Sequence, residues 1–224
     1  INMEGSRMKQ RTISMAGCCV ALALMSGVQA ESTMNVAHMH LEHVSTSWPE
    51  APGQVGFMTV ALQEAEIAQT HVRLAEDHNG DLATLKQHVA HALHALDPDE
   101  QSSGPGLGFG VIEGADGAEK HTLYAAQSPG ASDNIINNNL RVRNPLRNAE
   151  SLAKLAVRAG NTALDARSVS AAQEPLDDMA WLINALVNGV DENGDGTIDA
   201  TREEGGLVVA REELTAIRQV EGLD

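Results

Sequence analysis

VGFMTVALQEAEIAQTHVRLAEDHNGDLATLKQHVAHALHAL, residues 55–96, holds two helical patterns divided by one break. In the first half Phe57, Ala61, Ala65, Ala68, Val72 and Ala75 recur at spacings of three and four, the period of a helix with one apolar face. Asn79-Gly80 interrupts the pattern, and Asp81 offers its carboxylate as the N-cap of a second helix. That helix carries Leu82, Leu85, Val89, Leu93 and Leu96 along one side and is stopped by Asp97-Pro98. A break this short predicts an antiparallel helical hairpin. The wider composition agrees. Of 224 residues 42% are hydrophobic but only 2% aromatic, so the core must be built from Ala, Leu, Val and Ile. Such Ala-rich chains favour packed helices over sheets.

Working outward, Gly104-x-Gly106-x-Gly108-x-Gly110 reads as a flexible connector. It lacks the Lys-Ser/Thr and the preceding strand of a phosphate loop. Helical stretches are expected over 111–127, over 132–166 with a kink or split at Pro145, over 171–189 and over 207–220. A faint repeat at an offset of 50 matches Ala68-x-x-His71-x-x-x-Ala75 to Ala118-x-x-His121-x-x-x-Ala125. If it is structural, two hairpins make a four-helix bundle; a chance match in an Ala-rich chain is the alternative. The expected fold is all-α: a four-helix-type bundle over 55–168, then a helix-loop-helix over 169–224. Residues 31–54 read as a leader rich in Met and His.

Asp191-Glu192-Asn193-Gly194-Asp195-Gly196-Thr197-Ile198-Asp199 follows the spacing of a calcium loop. Asp191, Asn193 and Asp195 supply side-chain oxygens at positions 1, 3 and 5. Gly196 permits the sharp turn at position 6. Thr197 offers its carbonyl at position 7, and Asp199 ligates directly or through water at position 9. Ile198 is the apolar anchor. Over residues 176–220 this resembles the EF-hand family. The pattern departs at position 12, where Arg202 replaces the bidentate Glu, and Glu203 or Glu204 would have to swing in. Weak binding, suited to millimolar calcium, follows from that loss. A single loop points to a structural clamp more than to a switch.

The nine histidines form a second theme. Met34, His38, Met39, His40 and His43 cluster in the leader, and thioether with imidazole suits copper in both oxidation states. A mobile solvated leader is the plain alternative. On the hairpin, folding about Gly80 brings His71 opposite His88 and Glu64 near His94. At 100° per residue His91 points away from the apolar face and His88 and His94 flank it, so the three form a polar stripe. His88 and His91, one turn apart, can chelate an ion with His71. Residues 65–96 resemble the small His-rich periplasmic metal-binding helical bundles. That resemblance implies scavenging of copper, zinc or another divalent metal on His71, His78, His88, His91 and His94; a solvated helix face is the alternative. Haem would have to bind non-covalently through His pairs, because no Cys-x-x-Cys-His occurs.

Met8-Lys9-Gln10-Arg11 followed by the small apolar run Ile13–Val28 and Val28-Gln29-Ala30 has the layout of a secretory signal, with cleavage expected after Ala30 and residues 1–7 upstream of a start at Met8. Both cysteines, Cys18 and Cys19, fall inside it, leaving no thiol ligand in the exported chain. The net charge of −16 argues against nucleic acid, which needs a basic patch, and suits a protein that meets cations. No Gly-x-Ser-x-Gly or His-Glu-x-x-His occurs, and no reaction is specified. The expected function is an exported calcium-binding protein, with periplasmic copper or zinc binding by the His-rich hairpin as the alternative. No membrane insertion is expected after signal cleavage, and no protein partner can be named.

Overall fold

The structure, a computed structural model, describes residues 35–77 and 80–223. The segment read as an export signal, its two cysteines, Met34 and His78 lie outside the described residues. Seven α-helices and no strand occur among those residues, in line with the alanine-rich composition. They are α1 (Val36–Ser45), α2 (Phe57–Glu76), α3 (Leu82–Leu96), α4 (Val111–Gln127), α5 (Asp133–Asp165), α6 (Val169–Asn188) and α7 (Leu207–Glu221).

The hairpin forms as its pattern dictates. Asp81 caps α3, its carboxylate accepting the N–H groups of Ala83 and Thr84. The apolar stripes of α2 and α3 are buried from Phe57 to Ala75 and from Leu85 to Leu96. Burying each Leu or Val contributes about 1.5–3 kcal/mol. Alanines allow the helices to approach closely. On α4, Gly114 sits against Ala61 of α2 so tightly that a Cβ at 114 would come within 3.0 Å of the Ala61 backbone and side chain.

α5 is one helix, not two. Pro145 lies inside it and is buried, with Gly205 packed against its ring. The proline forfeits one backbone hydrogen bond, but the helix continues because Val142, Leu146 and Ala149 on either side stay in the core. α5 packs against α4, α6, α3 and α7 and organises the bundle.

Two boundaries differ from the sequence reading. Residues 169–224 are not a separate unit: α6 lies along α5, and Leu176, Met179, Ile183, Leu207 and Leu214 belong to the same core as the hairpin. The presumed leader contains α1, capped by the Asn35 side chain accepting the N–H of Ala37. Ala37, Leu41 and Val44, spaced by four and three, are wholly buried against α4 and α2. On its other side α1 meets α7. His38 Nε2 is 2.9 Å from Glu221, and Arg218 donates to Glu42 and to Ser45.

The glycine-rich segment is not a loose connector either. It wraps a wholly buried carboxylate, Glu64 of α2, whose Oε1 accepts N–H groups from Leu107, Phe109 and Gly110 at 3.0–3.2 Å. Gly106, at φ +129°, leans on the other carboxylate oxygen where no side chain would fit. His94 holds the beginning of the same segment, its Nδ1 lying 2.6 Å from the Gln101 carbonyl. Glu64 and His94 thus fasten one loop instead of each other, and His94 is buried instead of standing on the polar stripe. No helix among the described residues is long and apolar enough to cross a membrane.

Candidate metal centres

His71, His88 and His91 do meet. His71 comes from α2, and the other two stand one turn apart on α3, so the hairpin itself brings the three rings together. His71 Nδ1 lies 3.1 Å from His88 Nδ1. The His71 ring meets His91 edge-on at 4.8 Å between centroids, and His91 Nδ1 is buried without a hydrogen-bond partner.

A second group has the same construction. His40 and His43, one turn apart on α1, converge with His121 of α4. His121 Nδ1 is 3.1 Å from His40 Nδ1 and 3.2 Å from His43 Nδ1. In both groups the three ligand atoms lie within 4.8 Å of one another. The sequence separates His121 from His40 and His43, and the four-residue spacing of Ala37 and Leu41 was the signal that α1 is helical and carries both. His38, read with them as a copper ligand, is not in this group; it is engaged with Glu221.

The geometry limits what these contacts can be. A neutral imidazole Nδ1 has one in-plane site, either a proton or a lone pair. His121 Nδ1 has two close nitrogens, which a single in-plane site can meet only through a shared, bifurcated bond. Tetrahedral ligands at 2.0–2.1 Å from zinc stand about 3.3 Å apart, close to the observed separations. The environment also keeps lone pairs available. Burial pushes His121 down to about 4, with His43 and His40 adding to the effect. Burial likewise lowers His40 and His71, each helped by neighbouring histidines, and lowers His91, with His88 and His94 contributing. His43 is lowered by burial against the opposing pull of Glu42. Neutral imidazole is the form that ligates metals.

The second group differs in its surroundings. The Trp48 ring lies 4.9 Å from both His43 and His121, Phe57 lies 5.2 Å from His121, and Tyr124 lies 5.5 Å from His40. Among the described residues no Trp, Tyr or Phe ring contacts the hairpin group, whose ring contacts are among its own histidines.

The acidic loop follows α6 and is exposed over 192–199. Asp191 accepts N–H groups from Gly194, Asp195 and Gly196, and Asn193 accepts that of Asp195. Asp195 accepts both the N–H and the hydroxyl of Thr197, which lowers its pKa. Gly194 and Gly196 take φ of +74° and +89°. Glu203 is exposed, whereas Glu204 is buried and accepts the N–H of Asp199. Ile198, read as an anchor, is 39% exposed. α7 begins only at Leu207, beyond the end of a 12-residue loop, because Gly205 and Gly206 first pack against Pro145 and the end of α6. Among the described residues the two histidine groups are those in which three such ligand atoms converge; the loop acids are not gathered in this way.

No family model, curated protein or solved structure matches the chain.

Proposed function

We propose that the protein binds transition-metal ions, copper or zinc, at two three-histidine sites: His71, His88 and His91, and His40, His43 and His121. The observation that carries this reading is His121 Nδ1, with two other Nδ1 atoms at 3.1 and 3.2 Å, an arrangement that hydrogen bonding meets only by sharing one proton among three nitrogens and that a shared cation would meet with all three lone pairs. An acidic chain with depressed histidine pKa values is suited to the task. The basic-then-apolar pattern of residues 8–30 supports a place outside the cytoplasm for such a binder.

The test is elemental analysis of the full chain after loading with zinc or copper and dialysis. About two equivalents per chain are expected, falling to about one when His71, His88 and His91 are replaced by Asn. A wild type that retains no metal, or a triple variant that retains as much as the wild type, would reject the reading.

Calcium at the acidic loop is a second reading, supported by Asp191, Asn193 and Asp195 standing at alternate positions before Gly196 with its positive φ. Thr197, Asp199 and either Glu203 or Glu204 would complete the shell, the last after releasing the Asp199 N–H. Calcium should raise the melting temperature, and Asp191→Ala and Asp195→Ala should each abolish that rise. Identical melting with calcium and with chelator would dismiss it.

A further inference from the structure

Each of the two histidine groups offers three nitrogens, yet one of them is flanked by aromatic rings. The chain has only five Trp, Tyr and Phe side chains, and three of them, Trp48, Phe57 and Tyr124, touch the rings of His40, His43 and His121. In a chain this poor in aromatics, that concentration is a property of the site.

Resting on the metal-binding reading above, we infer that the two sites divide metals by charge: His40, His43 and His121 take Cu(I), and His71, His88 and His91 take a divalent ion, Zn(II) foremost.

The argument is one of coordination and desolvation. Zinc prefers four ligands, so a three-histidine zinc site draws a water or an anion into the fourth position. That ligand needs room and hydrogen-bond partners. Trp48, edge-on to both His43 and His121, and Phe57, tilted 36° to His121, supply apolar surface in place of them. Cu(I) has a filled d shell and accepts three nitrogens with no further ligand. The cost of moving an ion into an apolar surrounding grows with its charge squared, so a +1 ion is penalised far less than a +2 ion. The hairpin site has no such rings among the described residues, so no aromatic ring stands in the way of a fourth ligand there.

The local fold is built around this wall. Phe57 reaches His121 because position 117, one turn before it on α4, is glycine and the ring lies where a Cβ would be. Trp48 stacks on Phe57 at 5.1 Å and so is fixed from behind.

The experiment is competitive loading of the full chain under anaerobic conditions. One equivalent of Cu(I), supplied as its acetonitrile complex, and one of Zn(II) are added together, followed by desalting and elemental analysis. The wild type should retain both metals. His121→Asn should lose copper and keep zinc, and His71→Asn should lose zinc and keep copper. Copper lost with His71, or both metals lost in equal share from either variant, overturns the division while leaving metal binding intact. A wild type that retains neither metal overturns the metal-binding reading itself. Trp48→Leu keeps all six ligands and an apolar side chain. It should lower the Cu(I)-over-Zn(II) preference, because the smaller side chain opens room for the fourth ligand that zinc draws in. An unchanged preference in Trp48→Leu would refute the role given to the ring.

Discussion

Gly117 lies flat against the ring of Phe57, occupying with a hydrogen the place where any other residue would put a carbon. The contact joins α2 to α4 and sets the position of Phe57 beneath His121. Gly117→Ala should therefore cost about 1–3 kcal/mol through overpacking. It should also weaken metal retention at His40, His43 and His121 while leaving the hairpin site unchanged. Thermal melting and site-resolved metal content check both halves.

Glu64 presents a different kind of test. Its Oε1 accepts three loop N–H groups in a wholly buried position. Glu64→Ala leaves those donors unpaired and should destabilise the fold by about 3 kcal/mol or more. Glu64→Gln keeps an oxygen but not the charge, and should cost about 1–2 kcal/mol. Denaturant unfolding gives the energies. Hydrogen exchange at Leu107, Phe109 and Gly110 should accelerate in Glu64→Ala before exchange elsewhere does.

Ion pairs separate by burial. Glu119 receives Arg143 at 2.8 Å and Arg147 at 2.5 Å, and both Glu119 and Arg143 are at most 9% exposed. Removing Glu119 strands a buried guanidinium, so Glu119→Ala should cost about 3–5 kcal/mol. Arg141 pairs with Glu213 at 2.6 Å, but its side chain is 58% exposed. Glu213→Ala should cost less than about 1 kcal/mol. Equal losses in the two variants would contradict this ordering.

The pH dependence follows from His121, whose folded pKa is lowered from 6.5 to about 4. Above pH 6.5 the ring is neutral in both folded and unfolded chains and contributes no pH dependence. Between 6.5 and about 4 the unfolded chain binds a proton that the fold refuses, so stability falls as pH falls. The metal-free protein should accordingly lose melting temperature across that window. His121→Asn should flatten the curve, which differential scanning calorimetry at several pH values would show.

The hairpin was readable because its information is local. Phe57 to Ala75 and Leu85 to Leu96 state the helical period, Asp81 states the cap, and a short turn places His71 beside His88. The other cluster was not readable in the same way. His40 and His121 are 81 positions apart, and no local pattern says that α1 and α4 will touch. The Ala-x-x-His repeat aligns His121 with His71, but its offset puts Asn138 and Arg141 where His88 and His91 stand, and the partners of His121 come instead from α1. What hid α1 was composition: Met and His at Met39, His38 and His40 masked the short apolar stripe of Ala37, Leu41 and Val44. The glycine segment was misread because its partner, Glu64, lies more than forty residues away, and glycine has no side chain to advertise one. The loop at 191–199 is legible as a turn, but the sequence does not tell that Glu204 is already occupied by the Asp199 amide.

One helix touches both clusters. Phe57 abuts His121, and His71 is itself a member of the other group, so α2 separates the sites by about 21 Å of axis. That exceeds two Debye lengths at physiological ionic strength, each about 8 Å. Charges that far apart are largely screened where solvent reaches them, so ions in the two proposed sites would interact weakly. Filling of the two proposed sites would then be close to additive, with little hand-over between them. Two Cu(II) spins installed as probes would be held by a rigid rod at a distance that pulsed electron resonance can measure.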